Sequence, residues 1–447
     1  VAVTHITIPY APRPLQRAIH DGLERHRFGA AICHRRFGKT VLAVNHLQRA
    51  AVTCTQSRPR FAYIAPTYSQ GKAIAWDYMK HYAAPIPGIH VHESELRIDY
   101  PNGGQVRIYG ADNPDSLRGI YLDGVVLDEY GLMRPTLFSE VLRPALSDRQ
   151  GWAFFIGTPN GKNHFYDIIH GDGERPGAKD DPAWFYAEYK ASETKLLSQA
   201  ELEDARSRMT ADEYAQEFEC SFEASIKGAV FARELVRVRE GGRITRVPLE
   251  PMLPVDTDWD LGVGDATAIW FSQSLYTGEV RLIDYYENSG LGLDHYRQVL
   301  NERGYTYGTH WAPHDIQVKE LGSGRSRLET ARSLGLNFAV TPKIGLDDGV
   351  HAARMLLPKC WFDDKKTKYG VEALQSYRWD YNTRIHEYKP VPVHDWASHA
   401  ADAFRGLAVR HFTPKKKANY GAPQRDKDEA DHWRVPVTAG GRRRGGY

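Results

Sequence analysis

Cysteine is scarce. The 447 residues contain four (Cys33, Cys54, Cys220, Cys360), scattered without the paired spacing of a zinc site or a disulfide framework. They read as reduced thiols of a cytosolic protein. No run of about 18 apolar residues occurs, so no transmembrane helix is expected. The start of the chain lacks a basic segment followed by an apolar one, so no secretory signal is expected. No internal repeat is evident. Charge of one sign is also missing: the net charge is +2. It is unevenly spread, because residues 413–447 hold nine Lys/Arg against four Asp/Glu, which leaves the body slightly acidic. Overall charge therefore announces no nucleic-acid partner, and any basic surface has to be local.

What is present begins with Ile32-Cys33-His34-Arg35-Arg36-Phe37-Gly38-Lys39-Thr40. An apolar Phe28-Gly29-Ala30-Ala31 precedes it and Val41-Leu42-Ala43-Val44 follows, the strand-loop-helix setting of a phosphate-binding loop. Lys39 would reach the β/γ-phosphates and Thr40 would ligate Mg²⁺. Cys33 stands where the first glycine usually is, and an arginine inside the loop could act on the γ-phosphoryl group in cis. The second element is Gly124-Val125-Val126-Leu127-Asp128-Glu129. An unbroken apolar run reads as a central parallel strand, and acids at its carboxyl end lie where open α/β sheets bind ligands. Asp128 would serve the Mg²⁺ shell and Glu129 would polarise the attacking water.

Strand and helix signals alternate through the first part, as in a parallel α/β sheet. Phe61–Ala65 and Trp152–Ile156 are buried strands. Leu96–Tyr100 and Gln105–Tyr109 form a hairpin around Asn102-Gly103-Gly104. Ser198–Phe218 reads as one helix with Glu201 completing a capping box. Glycine and proline then punctuate a poorly periodic stretch. The division expected is 1–222 for a first domain, 223–252 for a linker, 253–412 for a second domain and 413–447 for a basic, disordered tail. The second domain opens with a meander (Leu253–Trp259, Thr267–Phe271, Val280–Tyr286). A helix over Leu293–Arg303, a short strand Thr309–Ala312 and a last helix from Trp396 to Val409 follow.

Three acids of this second half could converge: Asp258 in the meander, Asp315 at the end of the short strand, and Asp402 in the last helix. On that helix Asp395, His399 and Asp402 share a face. A two-metal nuclease needs acids on such elements, to hold Mg²⁺ or Mn²⁺ ions about 3.5–4 Å apart. Asp256 and Asp260 project to the same strand face as Asp258, so the first ligand stays open between them.

Together these motifs resemble the large terminase subunit of tailed bacteriophages. Arg13-Pro14-Leu15-Gln16 is similar to that family's adenine-reading segment, with Gln16 as its key residue. His34–Thr40 resembles its deviant Walker A loop, which makes Arg35 the loop arginine, with Arg36, Gly38, Lys39 and Thr40 around the nucleotide. Tyr63-Ile64-Ala65-Pro66-Thr67 resembles a helicase-like motif. Asp128-Glu129 match Walker B and the catalytic glutamate, and Gly157-Thr158-Pro159 the coupling motif. Asp258-Trp259 with Gly264–Ile269, Pro313-His314-Asp315 and Ser398–Ala403 look like three nuclease motifs. The resemblance implies a P-loop ATPase domain with a parallel central sheet, followed by an RNase H-like α/β nuclease domain. It implies ATP and Mg²⁺ as cofactors, with Mn²⁺ an option at the nuclease, and catalytic roles for Glu129, Arg35, Asp258, Asp315 and Asp402. It further implies double-stranded viral DNA, a portal protein, a small terminase subunit and a procapsid as partners. A homo-oligomeric ring in the host cytoplasm, away from membranes, completes the picture. The competing reading is a helicase-like DNA-dependent ATPase whose second half binds DNA without cutting it.

Overall fold

The computed structural model describes residues 7–223, 228–262, 266–319, 324–382 and 387–413. Eight strands form the first sheet: β1 (Phe28–Cys33), β2 (Arg60–Ala65), β3 (His90–His92), β4 (Arg97–Asp99), β5 (Gln105–Gly110), β6 (Gly124–Asp128), β7 (Trp152–Gly157) and β8 (Trp184–Tyr189). Their order is β3-β4-β5-β2-β6-β7-β1-β8. β5, β2, β6, β7, β1 and β8 run parallel, and β3 and β4 add an antiparallel edge. The unbroken apolar runs have a plain cause. Alternate residues of each strand feed two cores, one on each face: Ala31, Tyr63, Val126 and Phe154 enter one, and Ala30, Ile64, Leu127 and Phe155 the other. The expected hairpin joins β4 to β5, with Gly103 at φ 81° in its turn.

The second sheet contains β9 (Ile244–Thr245), β10 (Val255–Asp260), β11 (Ala266–Ser274), β12 (Val280–Ser289), β13 (Tyr307–Ala312), β14 (Phe338–Val340) and β15 (Cys360–Asp363), in the order β14-β13-β10-β11-β12-β15-β9. β10, β11 and β12 are the antiparallel meander. β13 then pairs parallel to β10, and β14 parallel to β13. Three antiparallel strands extended by two parallel ones beside the first is the RNase H-like arrangement. The last helix, Ser398–Phe412, lies on this sheet, pinned where Trp270 Nε1 donates to the Ala400 carbonyl at 2.9 Å. A hairpin of β16 (Trp379–Asn382) and β17 (Glu387–Pro392) stands apart. Among the described residues no helix is long and apolar enough to cross a membrane. The basic tail beyond Thr413 lies outside the described residues, as do Gly264 and Asp265 of the first nuclease motif.

Two segments differ from the sequence reading. Ser198–Phe218 is two helices, Gln199–Arg208 and Ala211–Phe218. Thr210 restarts the chain: its hydroxyl accepts from the Glu213 N–H at 3.2 Å, and Glu213 accepts from the Thr210 N–H at 3.1 Å. The reciprocal capping box is therefore at Thr210, and Ser198 provides only its own cap to the Glu201 N–H, at 3.2 Å. In the linker stretch, the helix Ala232–Glu240 and strand β9 belong to the second sheet's packing. Val230, Phe231, Leu235 and Val238 are buried in its core, and glycines and prolines around them hide that periodicity in the sequence.

The two sheets meet across ion pairs: Lys368 to Asp167 at 2.9 Å, Lys365 to Glu174 at 2.5 Å, and a buried one, Arg134 to Glu287 at 3.8 Å. Arg134 lies over the Tyr369 ring, and Tyr369 also donates to Glu287 at 3.3 Å. In the same crevice Glu372 is buried near Tyr130 and Lys368. Burial pushes its carboxyl from about 4.5 up to about 7, with Lys368 opposing and Asp167 adding to the rise. Between those two values the unfolded chain gives up this proton while the folded protein keeps it. Stability from this group is therefore lost as pH rises across that window, and levels off above it. Glu372→Gln should raise stability at pH 8 by about 2 kcal/mol and change little at pH 4.5, read from denaturant melts at both pH values.

Candidate active sites

β1 ends at Cys33, and His34–Gly38 turn into the helix Lys39–Thr53. Arg36 (φ 68°) and Gly38 (φ 90°) hold the left-handed conformation. A Cβ on Gly38 would fall 2.7 Å from the Arg13 guanidinium and 3.0 Å from Gln16 Nε2, so side-chain room and backbone conformation both call for glycine. The loop is held from the first helix, Pro14–Arg25. Gln16 donates to the Gly38 carbonyl at 3.3 Å and accepts from the Arg13 N–H at 3.0 Å, while Arg13 donates to the Phe37 carbonyl. Phe37 in turn stacks on Tyr189 with ring centroids 5.2 Å apart.

Lys39 is buried. Its Nζ donates to the Cys33 carbonyl at 3.2 Å and lies 3.5 Å from Glu129 Oε1. Burial pulls its pKa down, but the Glu129 and Asp128 carboxylates beside it outweigh this, so it rises and the ammonium stays charged. Glu129 follows β6 at φ 54°, a strained conformation for a residue with a Cβ. The strain aims its carboxylate across β7 to Thr158, whose N–H and hydroxyl donate to Oε2 at 3.1 and 3.0 Å. Burial and then the Glu129 charge push Asp128 up to about 6, although Tyr63 donates to its Oδ2. Tyr63 also engages the Thr40 side chain. The other oxygen of Asp128, Oδ1, is buried and has no hydrogen-bond partner among the described residues. An orphaned carboxylate oxygen grouped with a threonine hydroxyl fits a hard cation such as Mg²⁺. Arg35 is 64% exposed, with its N–H on the Glu217 carbonyl at 2.8 Å and its guanidinium 3.7 Å from Glu217. Arg36 is exposed.

In the second unit the acids divide differently from the sequence reading. Asp258 is 1% exposed and clamped by Arg410 of the last helix, with Nε on Oδ1 at 2.5 Å and Nη2 on Oδ2 at 2.7 Å. Burial raises its pKa and Arg410 opposes the rise. Both its oxygens are thus engaged. Asp260, two residues on, is met among the described residues by His399 Nδ1 alone, at 3.2 Å on Oδ2. Asp402 accepts from Arg405 Nη2 at 2.6 Å. Burial raises the Asp402 pKa; Arg405 lowers it, and the nearby Asp260 charge raises it again. Asp258, Asp260 and Asp402 line one cavity with His314, Lys343 and Arg405. Asp315 sits in the short helix His314–Gln317 with a buried Oδ1 that has no hydrogen-bond partner, and it is not on that cavity's wall. Asp395 is occupied as a cap and ion-pair partner, accepting from the Ala397 N–H at 3.0 Å and from Arg378 at 2.8 Å. Among the described residues no three His, Cys, Asp or Glu are gathered as metal ligands, so the trio Asp258, Asp315 and Asp402 is not brought together. The physical reason is Arg410, which takes Asp258 into the wall of the fold.

Residues 35–238 match the family of the terminase large subunit, T4likevirus-type, N-terminal. The terminase large subunit of Thermus virus P23-45 is 33% identical over 181 residues, covering 36% of this chain and 36% of that protein. That of Escherichia phage T5 is 24% identical over 418 residues, covering 88% of this chain and 89% of that protein. Over these stretches the chain is similar to large terminase subunits, and it matches about a third of the length of the Thermus virus P23-45 relative. The solved large terminase of bacteriophage HK97 is 13% identical, over 90% of this chain and 95% of that one, at a TM-score of 0.44.

Sequence reasoning passed over several residues at the two sites. Tyr63 was visible only as part of a motif, although a tyrosine inside a buried strand always needs a partner for its hydroxyl. Arg405 and Arg410 are spaced one and more than two turns after Asp402, and no local pattern sets them apart from surface arginines. Arg13 gave no signal beyond its place beside Gln16.

Proposed function

We propose that this chain is an ATP-driven motor subunit that moves double-stranded DNA into a procapsid, and that its second half is a metal-dependent endonuclease. The observation that carries the reading is the grouping of Lys39, Thr40, Asp128 and Glu129 at one end of the first sheet, with an unused Asp128 oxygen among them. Lys39 and the loop amides would hold the ATP phosphates at the helix N-terminus. Thr40 and Asp128 would hold Mg²⁺, which when bound supplies charge neutralisation at the phosphates. Glu129 would orient the attacking water, and Thr158 would sense whether Glu129 is engaged. For Arg35 to reach the γ-phosphate it must leave Glu217.

At the second site we assign the acids to Asp260 and Asp402, which line one cavity; Asp315, off its wall, would have to move to join them. Asp260 takes the role first given to Asp258, because its carboxylate is not clamped by an arginine. Mg²⁺ or Mn²⁺ would be the cation, since the donors are hard oxygens. Partners on this reading are viral DNA, gripped through its phosphates, together with a portal protein and a small terminase subunit. A homo-oligomeric ring assembled at the procapsid in the host cytoplasm would carry out the work.

The test is DNA-stimulated ATP turnover beside plasmid cutting in Mn²⁺. Glu129→Gln should lower turnover about 100-fold while nucleotide still binds and plasmid is still cut. Turnover that survives this change overturns the motor reading. No cutting by the parent protein in any divalent cation favours the non-cleaving alternative.

A further inference from the structure

Each acid of the Asp258/Asp260/Asp402 cavity has a basic side chain against it: Arg410, His399 and Arg405 respectively. The two arginines are not alike. Arg410 is 9% exposed, spread over Asp256, Asp258 and the Ser272 hydroxyl, and laid across the Trp311 ring at 5.5 Å. It is a fixed part of the wall. Among the described residues Arg405 bonds only Asp402 Oδ1, through Nη2 and from one helical turn away, and is 20% exposed at the cavity. Its Nε is buried and has no acceptor among them. The side-on fork of Nε and Nη2 therefore holds a carboxylate assigned to the metal by one tooth, with the other unused.

We propose that Arg405 stands in for the divalent cation on Asp402, and exchanges that carboxylate for a DNA phosphate when the cation binds. The inference rests on the nuclease reading above. A guanidinium displaced from Asp402 in a half-buried wall needs another anion to pair with. Its planar fork matches phosphate oxygens, and the Nε–H already lacking an acceptor supplies the second tooth. Lys343 and His314 on the same wall favour an anion beside it. Cation and DNA then assist each other's binding, because each removes the partner that the other leaves behind. Without DNA, Arg405 competes with the cation and keeps the cutting site weakly loaded.

The experiment is Mn²⁺ binding to the full-length protein by EPR, without DNA, beside plasmid cleavage. Arg405→Ala should bind Mn²⁺ about fivefold more tightly, within the range of typical coupling between sites, while KM for plasmid rises about tenfold. Arg405→Lys, which keeps the charge and loses the fork, should bind Mn²⁺ like the parent and still show the raised KM. Unchanged or weaker Mn²⁺ binding in Arg405→Ala overturns the exchange, as does parental KM in Arg405→Lys. Asp402→Asn separates the two levels. If it binds Mn²⁺ and cuts DNA like the parent, the nuclease reading of this cavity is wrong and the exchange falls with it. If it loses both while Arg405→Ala leaves Mn²⁺ affinity unmoved, the exchange alone is wrong.

Discussion

Replacing Lys39 with alanine should cut ATP turnover by about three orders of magnitude and leave Mn²⁺-dependent plasmid cutting close to the parent level. The size of the effect follows from where the ammonium sits. It is the nearly buried cation between the Cys33 carbonyl and Glu129, at the N-terminus of the Lys39–Thr53 helix. On the proposed reading, removing it deletes a preorganised charge from the place where negative charge grows during phosphoryl transfer, an effect worth about 10²–10³ for a single donor. It also leaves Glu129 Oε1 without its cation, which disturbs the orientation of the group proposed to polarise the water. Arginine should not restore turnover, because a guanidinium is broader than the ammonium and this seat is closed. Steady-state ATPase assays on the folded variant decide the matter. Parental turnover in Lys39→Ala would remove the loop from the reaction, and loss of cutting in a folded variant would mean that the two activities are not separable.

The second large effect is a contrast between neighbours. Asp260→Asn should abolish plasmid cutting while the melting temperature stays near the parent value. Asp258→Ala should instead destabilise the fold by about 3 kcal/mol or more, because it leaves Arg410 buried without its counter-charge. Chemical denaturation and a cleavage assay on both proteins give four numbers. A stable Asp258→Ala without cutting, beside an Asp260→Asn that still cuts, would return the metal role to Asp258.

That contrast also shows where reading a sequence stops. The loop and the β6 acids were legible because their meaning is local. Gly38-Lys39-Thr40 opens a helix, and Val125-Val126-Leu127 feeds both cores before Asp128. The meander of the second sheet and the Leu293–Arg303 helix were legible for the same reason. Asp256, Asp258 and Asp260 face the same way by the two-residue period of a strand, so period alone cannot rank them. What ranks them is Arg410, a residue about 150 positions later that closes on Asp258 and Asp256 and leaves Asp260 aside. The split helix at Thr210 hid for the opposite reason. Ser198 and Glu201 satisfy the same short pattern as Thr210 and Glu213, and only the latter pair forms both hydrogen bonds. Strands of two or three residues, such as β9 and β14, are too short to carry a period at all.

Arg134 lies five residues past Glu129 and spends its charge on Glu287, inside the other sheet's territory. The boundary drawn along the chain is therefore not a boundary in free energy. Severing the halves would bare a carboxylate and two tyrosine rings that have no reason to be wet, so the whole polypeptide should melt as one cooperative unit. A shift of the backbone near Glu129 therefore reaches the partner sheet through an ion pair.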